Sequence, residues 1–585
     1  MHNPRLQPAS LLALLWVCAL LPLAGPPATR AAAKPGEVLP NGIQLPPVWP
    51  PDQGELTDEP MAVPYLEHPP ALLPIDTGRQ LFVDDFLVES TTLTRSFHHA
   101  TPYEGNPVLQ PDRPWEMSPT GGSAAPFSDG VWFDPKDNYF KMWYVIPPDP
   151  EVARADAAKN PIAGAPPLYR TALALSRDGL QWEKPEFDVV PGTNIVLEAP
   201  RDSSIVWLDH FTTNPEKRFV LMRNHRMPKI ADWDKRKFAF GFSLHWSADG
   251  IHWSDLAGTT GGLPRIGDRH TAFYNPFRRV WVFSMRNTTR NDPAFEGVRA
   301  RLYHEHPEPA KGLATLERHP WVRADRRDER HPKFPDFVPQ LYNLDAVAYE
   351  SLILGFFSIL KGPENEDAKQ LGIHKRNDIV LGYSRDGYHW DRPDRRTFIG
   401  VDETDGAWNW GNVQSAGGGC LIVGDRLYFY ASGRRWSRTD QRGGTSTGLF
   451  FLRRDGFASM DALSGPGVLT TRPVTFRGRN LFVNLNTEGG ELRVEVIGRD
   501  GRPIGPFTAA NCEPVRGDGT KLPVRWRGAE DLGTLAGQPV RFRFHLTRGG
   551  IYSFWVSPDA SGASLGYVAA GGPGLAGAQD LPPGK

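Results

Sequence analysis

Short runs of apolar and polar residues recur along the chain, and Gly, Pro, Asn or Asp separates each run from the next. Runs such as YFKMWYV (139–145) and RVWVFSM (279–285) are rich in aromatic and β-branched residues. This pattern is typical of hairpins of short strands, and no long segment has helical periodicity. It therefore predicts an all-β protein.

A polar turn that ends in Trp is repeated along the chain. It occurs as SRDGLQW (176–182), SADGIHW (247–253) and SRDGYHW (384–390), with a degenerate copy, RRDGFAS, at 453–459. Successive copies lie about 70, about 140 and about 70 residues apart, which predicts a unit of about 70 residues repeated five times, with the third turn lost near residue 317. We expect Ser, Asp and Gly to form a tight turn with a structural role.

Small antiparallel sheets repeated at a fixed spacing indicate a β-propeller, here with five blades. The segment 79–93 is expected to supply the strand that closes the ring. Beyond residue 465 the alternation changes and predicts a separate β-sandwich. The resulting division is a five-bladed propeller over 76–465 and a sandwich over 466–558, flanked by a Pro-rich linker (34–75) and a Gly/Pro/Ala-rich tail (559–585).

The charge balance of the chain argues against nucleic acid and anionic membranes as partners. The sequence has 66 Lys and Arg against 67 Asp and Glu, a formal net charge of −1, without a long run of one sign. Nothing in this balance favours nucleic acid or an anionic membrane surface. We therefore predict no nucleic-acid partner.

Residues 1–33 are typical of a secretory signal peptide. Arg5 precedes an apolar core from Leu11 to Leu23, and small residues follow in ATRAAA. The apolar core is too short for a membrane span, so a secreted or periplasmic location is predicted. Cys420 and Cys512 remain after removal of the signal and could form one disulfide. Without CxxC or HExxH, no metal or cofactor is predicted, although a structural Ca²⁺ at the propeller axis stays open.

A five-bladed propeller with SxDGxxW turns and a following sandwich resembles the glycoside hydrolase superfamily of families 43 and 32. The resemblance covers roughly residues 76–558 at the level of architecture. The family 32 motifs WMNDPNG, RDP and EC are absent, and so is the FRIP motif of sialidases. The resemblance therefore indicates the superfamily and no named family within it.

In that superfamily the catalytic carboxylates lie where the innermost strand of a blade begins, about seven residues before the hairpin turn. Transferred to this sequence, the resemblance implies the candidates Asp268, Asp202, Asp129 and Asp345, with Glu350 in the turn of the fourth unit as an alternative acid. Glycoside cleavage needs one carboxylic acid to protonate the leaving oxygen and a second as nucleophile or base. An Asp at a strand start can also only cap a turn, so a structural role stays open.

Candidate binding residues lie beside these acids. Arg269 and His270 follow Asp268 and could hold sugar hydroxyls or tune the acid. The fifth unit offers no carboxylate at the axial position; it has Trp408, Trp410, Asn412 and Gln414. Asp134, in the string FDP, is expected in an outer hairpin away from the axis.

The sequence thus predicts an exported glycosidase that cleaves glycosidic bonds of an oligo- or polysaccharide. One alternative is a non-catalytic propeller that binds carbohydrate or protein and needs no carboxylate pair. The other is a sialidase, which a cluster of arginines in the pocket would support. Sugar identity, linkage and stereochemistry stay open.

Overall fold

A computed structural model describes residues 36–119, 121–149, 169–227, 239–263, 266–287, 298–373, 375–435 and 443–584 of the 585-residue chain. The predicted signal peptide, 1–33, lies outside the described residues. Strands dominate the described part, and its helices are short, as in the seven-residue Asn365–Leu371. The prediction of an all-β protein is confirmed. None of the helices described has the length and apolar character to cross a bilayer.

The segment 36–75, predicted as a linker, packs along two of the later sheets. Trp49 is fully buried, and its Nε1 donates to Glu305 at 3.0 Å. Asn41 Nδ2 donates to the carbonyl oxygen of Arg385 at 2.8 Å. Short strands follow it: β1 (Leu73–Pro74), β2 (Gln80–Leu81), β3 (Val88–Thr91), β4 (Thr94–Phe97) and β5 (Thr101–Pro102).

Five antiparallel sheets follow one another along the chain. Sheet one has β6 (Val131–Asp134), β7 (Tyr139–Ile146), β8 (Tyr169–Ser176) and β9 (Ile195–Arg201); sheet two has β10 (Ser203–Leu208), β11 (Phe219–Met227), β12 (Ala239–Ser247) and β13 (Gly258–Thr259); sheet three has β14 (Thr271–Asn275), β15 (Val280–Arg286), β16 (Ala300–His306) and β17 (His319–Arg323); sheet four has β18 (Gln340–Glu350), β19 (Leu352–Gly362) and β20 (Arg376–Ser384); sheet five has β21 (Gln414–Ser415), β22 (Leu421–Val423), β23 (Arg426–Arg435) and β24 (Gly444–Arg453).

The expectation that 79–93 closes the ring is wrong. Within that segment, β2 and β3 pair with strands near the C-terminus, Gln80 opposite Phe554 and Thr91 opposite Leu469. Strand β5 joins sheet five instead, with Thr101 opposite Phe451. The alternation of apolar residues identified a strand but could not identify its partner, because pairing is set by the distant strands.

The beginnings of the five sheets contact one another in a ring. Each sheet is joined to the next by hydrogen bonds near the start of its first strand. The bonds run from Val206 N to Asp129 O (2.6 Å), Ser203 Oγ to Asp268 O (3.0 Å), Thr271 Oγ1 to Leu344 O, Ser415 Oγ to Asp345 Oδ2 (2.6 Å) and Val131 N to Gly417 O (3.1 Å). The first strands therefore converge on a common axis.

The repeated turn has one set of contacts in its three complete copies. At Asp386, Ser384 Oγ accepts from Gly387 N at 2.9 Å. Asp386 Oδ1 accepts from the backbone N–H groups of Tyr388 and His389 at 2.8 and 2.9 Å. The turns at Asp178 and Asp249 repeat these bonds. These contacts give the motif a structural role, because the carboxylate satisfies amides that the turn leaves without a strand partner.

Where the third turn is lost, a short helix, Pro309–Ala314, connects β16 to β17. The degenerate fourth copy has changed its role. Asp455 accepts hydrogen bonds from the Tyr349 hydroxyl at 2.6 Å and the Ser553 hydroxyl at 2.6 Å, and it pairs with Arg79. This carboxylate joins sheet four to the C-terminal strands.

Two further antiparallel sheets follow. Phe82 packs against Phe544 of one and Phe554 of the other, with ring centroids 6.4 and 5.7 Å apart, so the two sheets enclose an aromatic core. Cys512 in this region and Cys420 in sheet five are both free and buried. The strands are β25 (Ala458–Ala462), β26 (Gly467–Thr471), β28 (Asn480–Asn486), β29 (Leu492–Ile497), β30 (Asp518–Pro523), β31 (Arg541–Leu546) and β32 (Gly549–Ser557). The two-residue β27 (Val474–Thr475) pairs in parallel with β1.

The C-terminal segment, predicted as a tail, lies across the far ends of the first strands. Its strand β33 (Tyr567–Val568) pairs with the end of β18. Phe133 N donates to Ala570 O at 3.0 Å, and Ile422 N donates to Gly571 O at 2.9 Å. This segment covers the axis at the end opposite the strand starts.

Candidate functional site

Four of the predicted acids surround one arginine. Asp129, Asp202 and Asp268 lie shortly before the first strands of sheets one, two and three, and Asp345 lies within β18. Burial raises the pKa of each of these carboxyl groups, and the positive charge of Arg269 acts against it in all four. These acids, far apart in sequence, therefore all lie within electrostatic range of the Arg269 guanidinium.

Asp202 and Asp268 are the two partly exposed acids of this group, and their pKa values differ widely. Burial and the neighbouring negative charge of Asp268 raise the pKa of Asp202 to about 7. For Asp268, burial is outweighed by the charges of Arg286 and Arg269, which lower its pKa to about 2. Near neutral pH, one carboxyl is thus ionised while the other still holds its proton for much of the time.

Local backbone contacts fix the position of Asp268. Gly267 N donates to Arg286 O at 2.9 Å, which sets the loop before β14 against the end of β15. The Arg286 guanidinium forms an ion pair with the Asp268 carboxylate. The side chain of Asp268 stays 35% exposed, so one face of the carboxylate is open to a ligand.

Two carboxyl groups with divergent pKa values can perform acid–base chemistry on one bond. The group that keeps its proton can donate it to a leaving oxygen, and the ionised group can attack carbon or activate water. Burial, together with the charge of Asp268, raises the pKa of Asp202, and the arginines beside Asp268 lower the pKa of Asp268, so the two values move in opposite directions.

Asp129 and Asp345 lie deeper. Burial raises the pKa of each to about 6 despite nearby arginines. Asp129 is fully buried, pairs with Arg201 and accepts a hydrogen bond from Ser204 Oγ at 2.6 Å. Asp345 is 4% exposed and accepts from Ser415 Oγ at 2.6 Å. In this structure both support the walls of the site and neither presents a free carboxylate to it.

The expectation that Glu350 is an alternative axial acid is wrong. Glu350 ends the eleven-residue strand β18, five residues beyond Asp345, or roughly 16 Å along a strand. There its carboxylate contacts Arg79, Arg454 and the Ser564 hydroxyl, all at the covered end of the axis. Glu350 therefore forms buried ion pairs with a structural role. Asp134, in the first hairpin, does the same: the Lys141 ammonium group donates to its carboxylate at 2.8 Å.

The predicted binding residues differ in availability. Both His270 ring nitrogens are used by backbone groups: Nε2 bonds Gly267 O at 3.0 Å, and Nδ1 accepts from Arg286 N at 3.1 Å. Burial and the charges of Arg301 and Arg286 hold the pKa of His270 well below its usual range. His270 therefore positions the loop as a neutral ring and has no nitrogen left for a sugar hydroxyl.

The fifth sheet contributes packing and one amide pair. The Trp408 ring lies against the backbone of Gly433 and Gly448, where a side chain would collide with it, so it packs on β23 and β24. Trp410 is partly buried in the same loop. Gln414 Nε2 donates to Asn412 Oδ1 at 2.8 Å.

Sequence reasoning did not identify Arg226, Arg286 or Tyr342. The positive charges of Arg226 and Arg286 both lower the pKa of Asp202. The Arg286 guanidinium lies 5.6 Å from the centroid of the Tyr342 ring. A signal for Arg286 was present, because MRN recurs at 222–224 and 285–287, in each case late in the second strand of a unit. Within the described residues, no group of three or more His, Cys, Asp and Glu could hold a metal ion.

No protein-family model and no curated protein matches the chain. Several solved structures are similar to it at low identity. A β-1,2-mannobiose phosphorylase from Listeria innocua has 13% identity over 61% of this chain and 97% of its own, with a TM-score of 0.38. A β-fructofuranosidase from Schwanniomyces occidentalis has 10% identity over 78% of this chain and 96% of its own, with a TM-score of 0.33.

A family 117 glycoside hydrolase from the marine bacterium Zobellia galactanivorans has 10% identity over 61% of this chain and 90% of its own, with a TM-score of 0.30. The solved structures that this chain is similar to thus include glycoside hydrolases and phosphorylases.

Proposed function

We propose that the protein is a glycoside hydrolase that cleaves a glycosidic bond of an oligo- or polysaccharide between Asp202 and Asp268. Its five consecutive sheets form a five-bladed propeller, and the two sheets after residue 457 form a β-sandwich that supports it. The observation that carries the proposal is geometric: the Ser203 hydroxyl bonds the backbone carbonyl oxygen of Asp268 at 3.0 Å, which brings the partly exposed side chains of Asp202 and Asp268 to the same part of the axis. The charges around them shift the pKa of Asp202 upward and that of Asp268 downward.

In this mechanism Asp202 is the general acid. Its proton is retained near neutral pH because burial and the charge of Asp268 disfavour ionisation, and it is delivered to the leaving glycosidic oxygen. Asp268, held ionised by Arg286, attacks the anomeric carbon or removes a proton from the attacking water. Asp129 and Asp345 are positioning residues, because they are buried behind this pair.

A non-catalytic binding propeller is disfavoured by the same observation. A site that only binds sugar needs no carboxyl that is kept protonated beside one kept ionised. The sialidase alternative keeps one point in its favour, the arginines around Asp202, but two carboxyls with divergent pKa values are explained more directly by acid–base cleavage. Export through the signal peptide at 1–33 stays part of the proposal, since a polysaccharide substrate lies outside the cell.

The test is turnover on a panel of plant and algal glycans, by release of reducing ends, with purified wild-type protein and Asp268→Asn. Asn keeps the shape of the side chain and removes its charge. Turnover by the wild type and its loss in the variant support the proposal. Equal turnover by both proteins would remove Asp268 from the mechanism, and absence of turnover on every glycan, with sugar binding intact, would favour the binding propeller.

A further inference from the structure

Arginine side chains surround the two partly exposed carboxyls. Arg269, Arg226 and Arg286 all lower the pKa of Asp202, against the rise that burial and Asp268 produce. Arg286 is already bonded to the Asp268 carboxylate.

Positively charged side chains also lie close to Tyr342. This residue lies at a register shift in β18, and Arg286, Arg299 and Lys375 lie 5.5 to 5.6 Å from the centroid of its ring. Arg299 is compensated by Glu364, with which it forms an ion pair. The remaining cations lower the pKa of Tyr342 even though burial and Asp268 act to raise it.

Arg269 forms no ion pair with a carboxylate in the described part of the chain. It is 8% exposed, and its Nη1 is buried without a hydrogen-bond partner among the residues that the structure describes. Its guanidinium lies on the face of the Phe127 ring, 4.6 Å from the ring centroid. Asp268 is occupied by Arg286, and Asp129 by Arg201, so neither completes the hydrogen bonds of Arg269.

A buried guanidinium with an unused N–H group is costly unless a ligand completes it. Its planar fork matches a carboxylate, with which it makes two parallel hydrogen bonds, better than it matches a neutral hydroxyl. The Phe127 face holds the plane of the fork in one orientation, which favours a bound group of fixed geometry.

We propose that the sugar bound between Asp202 and Asp268 is acidic, and that Arg269 receives its carboxylate. The inference rests on the proposed function, and it names the class of substrate: glycosides of a uronic acid or another sugar that carries a carboxylate. Arg269 is then the residue that distinguishes these sugars from neutral ones.

The first test is equilibrium binding to the wild-type protein, measured by calorimetry with glucuronate and galacturonate against glucose and galactose. We expect the acids to bind at least about tenfold more tightly than the matched neutral sugars, and added NaCl to weaken only the binding of the acids. Equal affinity for acid and neutral sugars would overturn the proposal. So would tighter binding of galactose 6-sulfate or of inorganic phosphate, since either would assign the arginine to a different anion.

The second test uses variants. Arg269→Gln is expected to lose about tenfold or more of the affinity for glucuronate and little of that for glucose, and Arg269→Lys to recover part of it. Arg477→Gln is the matched control, because Arg477 is 91% exposed on the C-terminal sheets. Unchanged acid binding in Arg269→Gln would refute the assignment. If that variant does not fold, the proposal is still tested on the wild-type protein, by the comparison of acidic with neutral sugars and by the effect of NaCl on their binding.

These outcomes separate the two proposals. Binding of acids without turnover of any glycan would leave the substrate class standing and remove the hydrolase. Turnover of a neutral glycan without preference for acids would support the hydrolase and remove the acidic substrate class.

Discussion

The Ser203 hydroxyl donates a hydrogen bond of 3.0 Å to the backbone carbonyl oxygen of Asp268. Ser203 begins β10 and directly follows Asp202, so this bond joins the loops that lead into two neighbouring sheets. It fixes both carboxyls on the same part of the axis, although 66 residues separate them in sequence. The electrostatic coupling of the pair is therefore a property of how the sheets are joined.

The role of Asp202 as general acid can be separated from a role in folding. Asp202→Asn should lower kcat about 10²- to 10⁴-fold on a natural glycan. On an aryl glycoside of the same sugar with a dinitrophenolate leaving group the loss should be far smaller, because that group departs without a proton. Steady-state kinetics on the two substrates measure the difference.

Asp209→Asn is the matched control for that experiment. Asp209 lies in the hairpin of the same sheet and accepts a hydrogen bond from Phe211 N at 2.9 Å, which an Asn side chain can also accept. Its kinetics should equal those of the wild type. An equal loss on both leaving groups in Asp202→Asn would contradict the assignment of the acid.

The pH profile should follow the two carboxyls. Activity requires Asp202 protonated and Asp268 ionised, so kcat/KM should fall about tenfold per pH unit above about pH 7 and stay level over the weakly acidic range. Arg226→Gln removes a cation that lowers the pKa of Asp202 against the effects of burial and Asp268. The alkaline limb of that variant should therefore move to higher pH, and a shift to lower pH would exclude Asp202 as the group titrated.

Buried Asp345 should make stability depend on pH. Burial raises its folded-state pKa from 3.8 to about 6, so between these values the folded protein holds a proton that the unfolded chain releases. The free energy of unfolding should therefore increase as the pH falls from 7 towards 4. In Asp345→Asn, about 1 kcal/mol of the gain between pH 7 and pH 5 should be absent. Urea unfolding at the two pH values measures it.

Asp255→Asn serves as its control, since Asp255 is exposed. That variant should keep the full pH dependence of the wild type. The same dependence in Asp345→Asn as in the wild type would show that Asp345 is ionised in the folded protein throughout this range.

The repeated turn allows a comparison of one motif at two depths. Asp386 is 2% exposed and also pairs with His389, whereas Asp178 is exposed. Asp386→Ala should cost about 2 to 4 kcal/mol of unfolding free energy, because it leaves buried amides without acceptors. Asp178→Ala should cost about 1 kcal/mol, since water can replace its carboxylate. Equal costs would mean that the contribution of the turn does not depend on burial.

Several features were readable from the sequence because they are local or repeated. The spacing of Asp178, Asp249 and Asp386 gave the unit length, and counting back from each hairpin turn gave positions from which Asp202 and Asp268 can meet. The same counting could not distinguish these two from the buried Asp129. Burial depends on Arg201 and Ser204, whose side chains reach Asp129 only after neighbouring sheets have packed.

Other features depend on long-range contacts that leave little trace in a single sequence. Composition predicted a linker at 34–75 and a tail at 559–585, and it gave no sign that Trp49 is buried or that Tyr567 pairs with the end of β18. Glu350 was kept as an alternative acid because the position of a hairpin turn read from sequence can be wrong by two or more residues. The length of β18 places it at the far end of the strand from the axial acids.

The C-terminal segment across the far ends of the first strands affects how a substrate can reach the site. Ala570 and Gly571 are bonded to two of the sheets at that end, whereas the Asp268 side chain is 35% exposed at the end where the first strands begin. Under the proposed function, a glycan therefore approaches Asp202 and Asp268 from the end where the first strands begin.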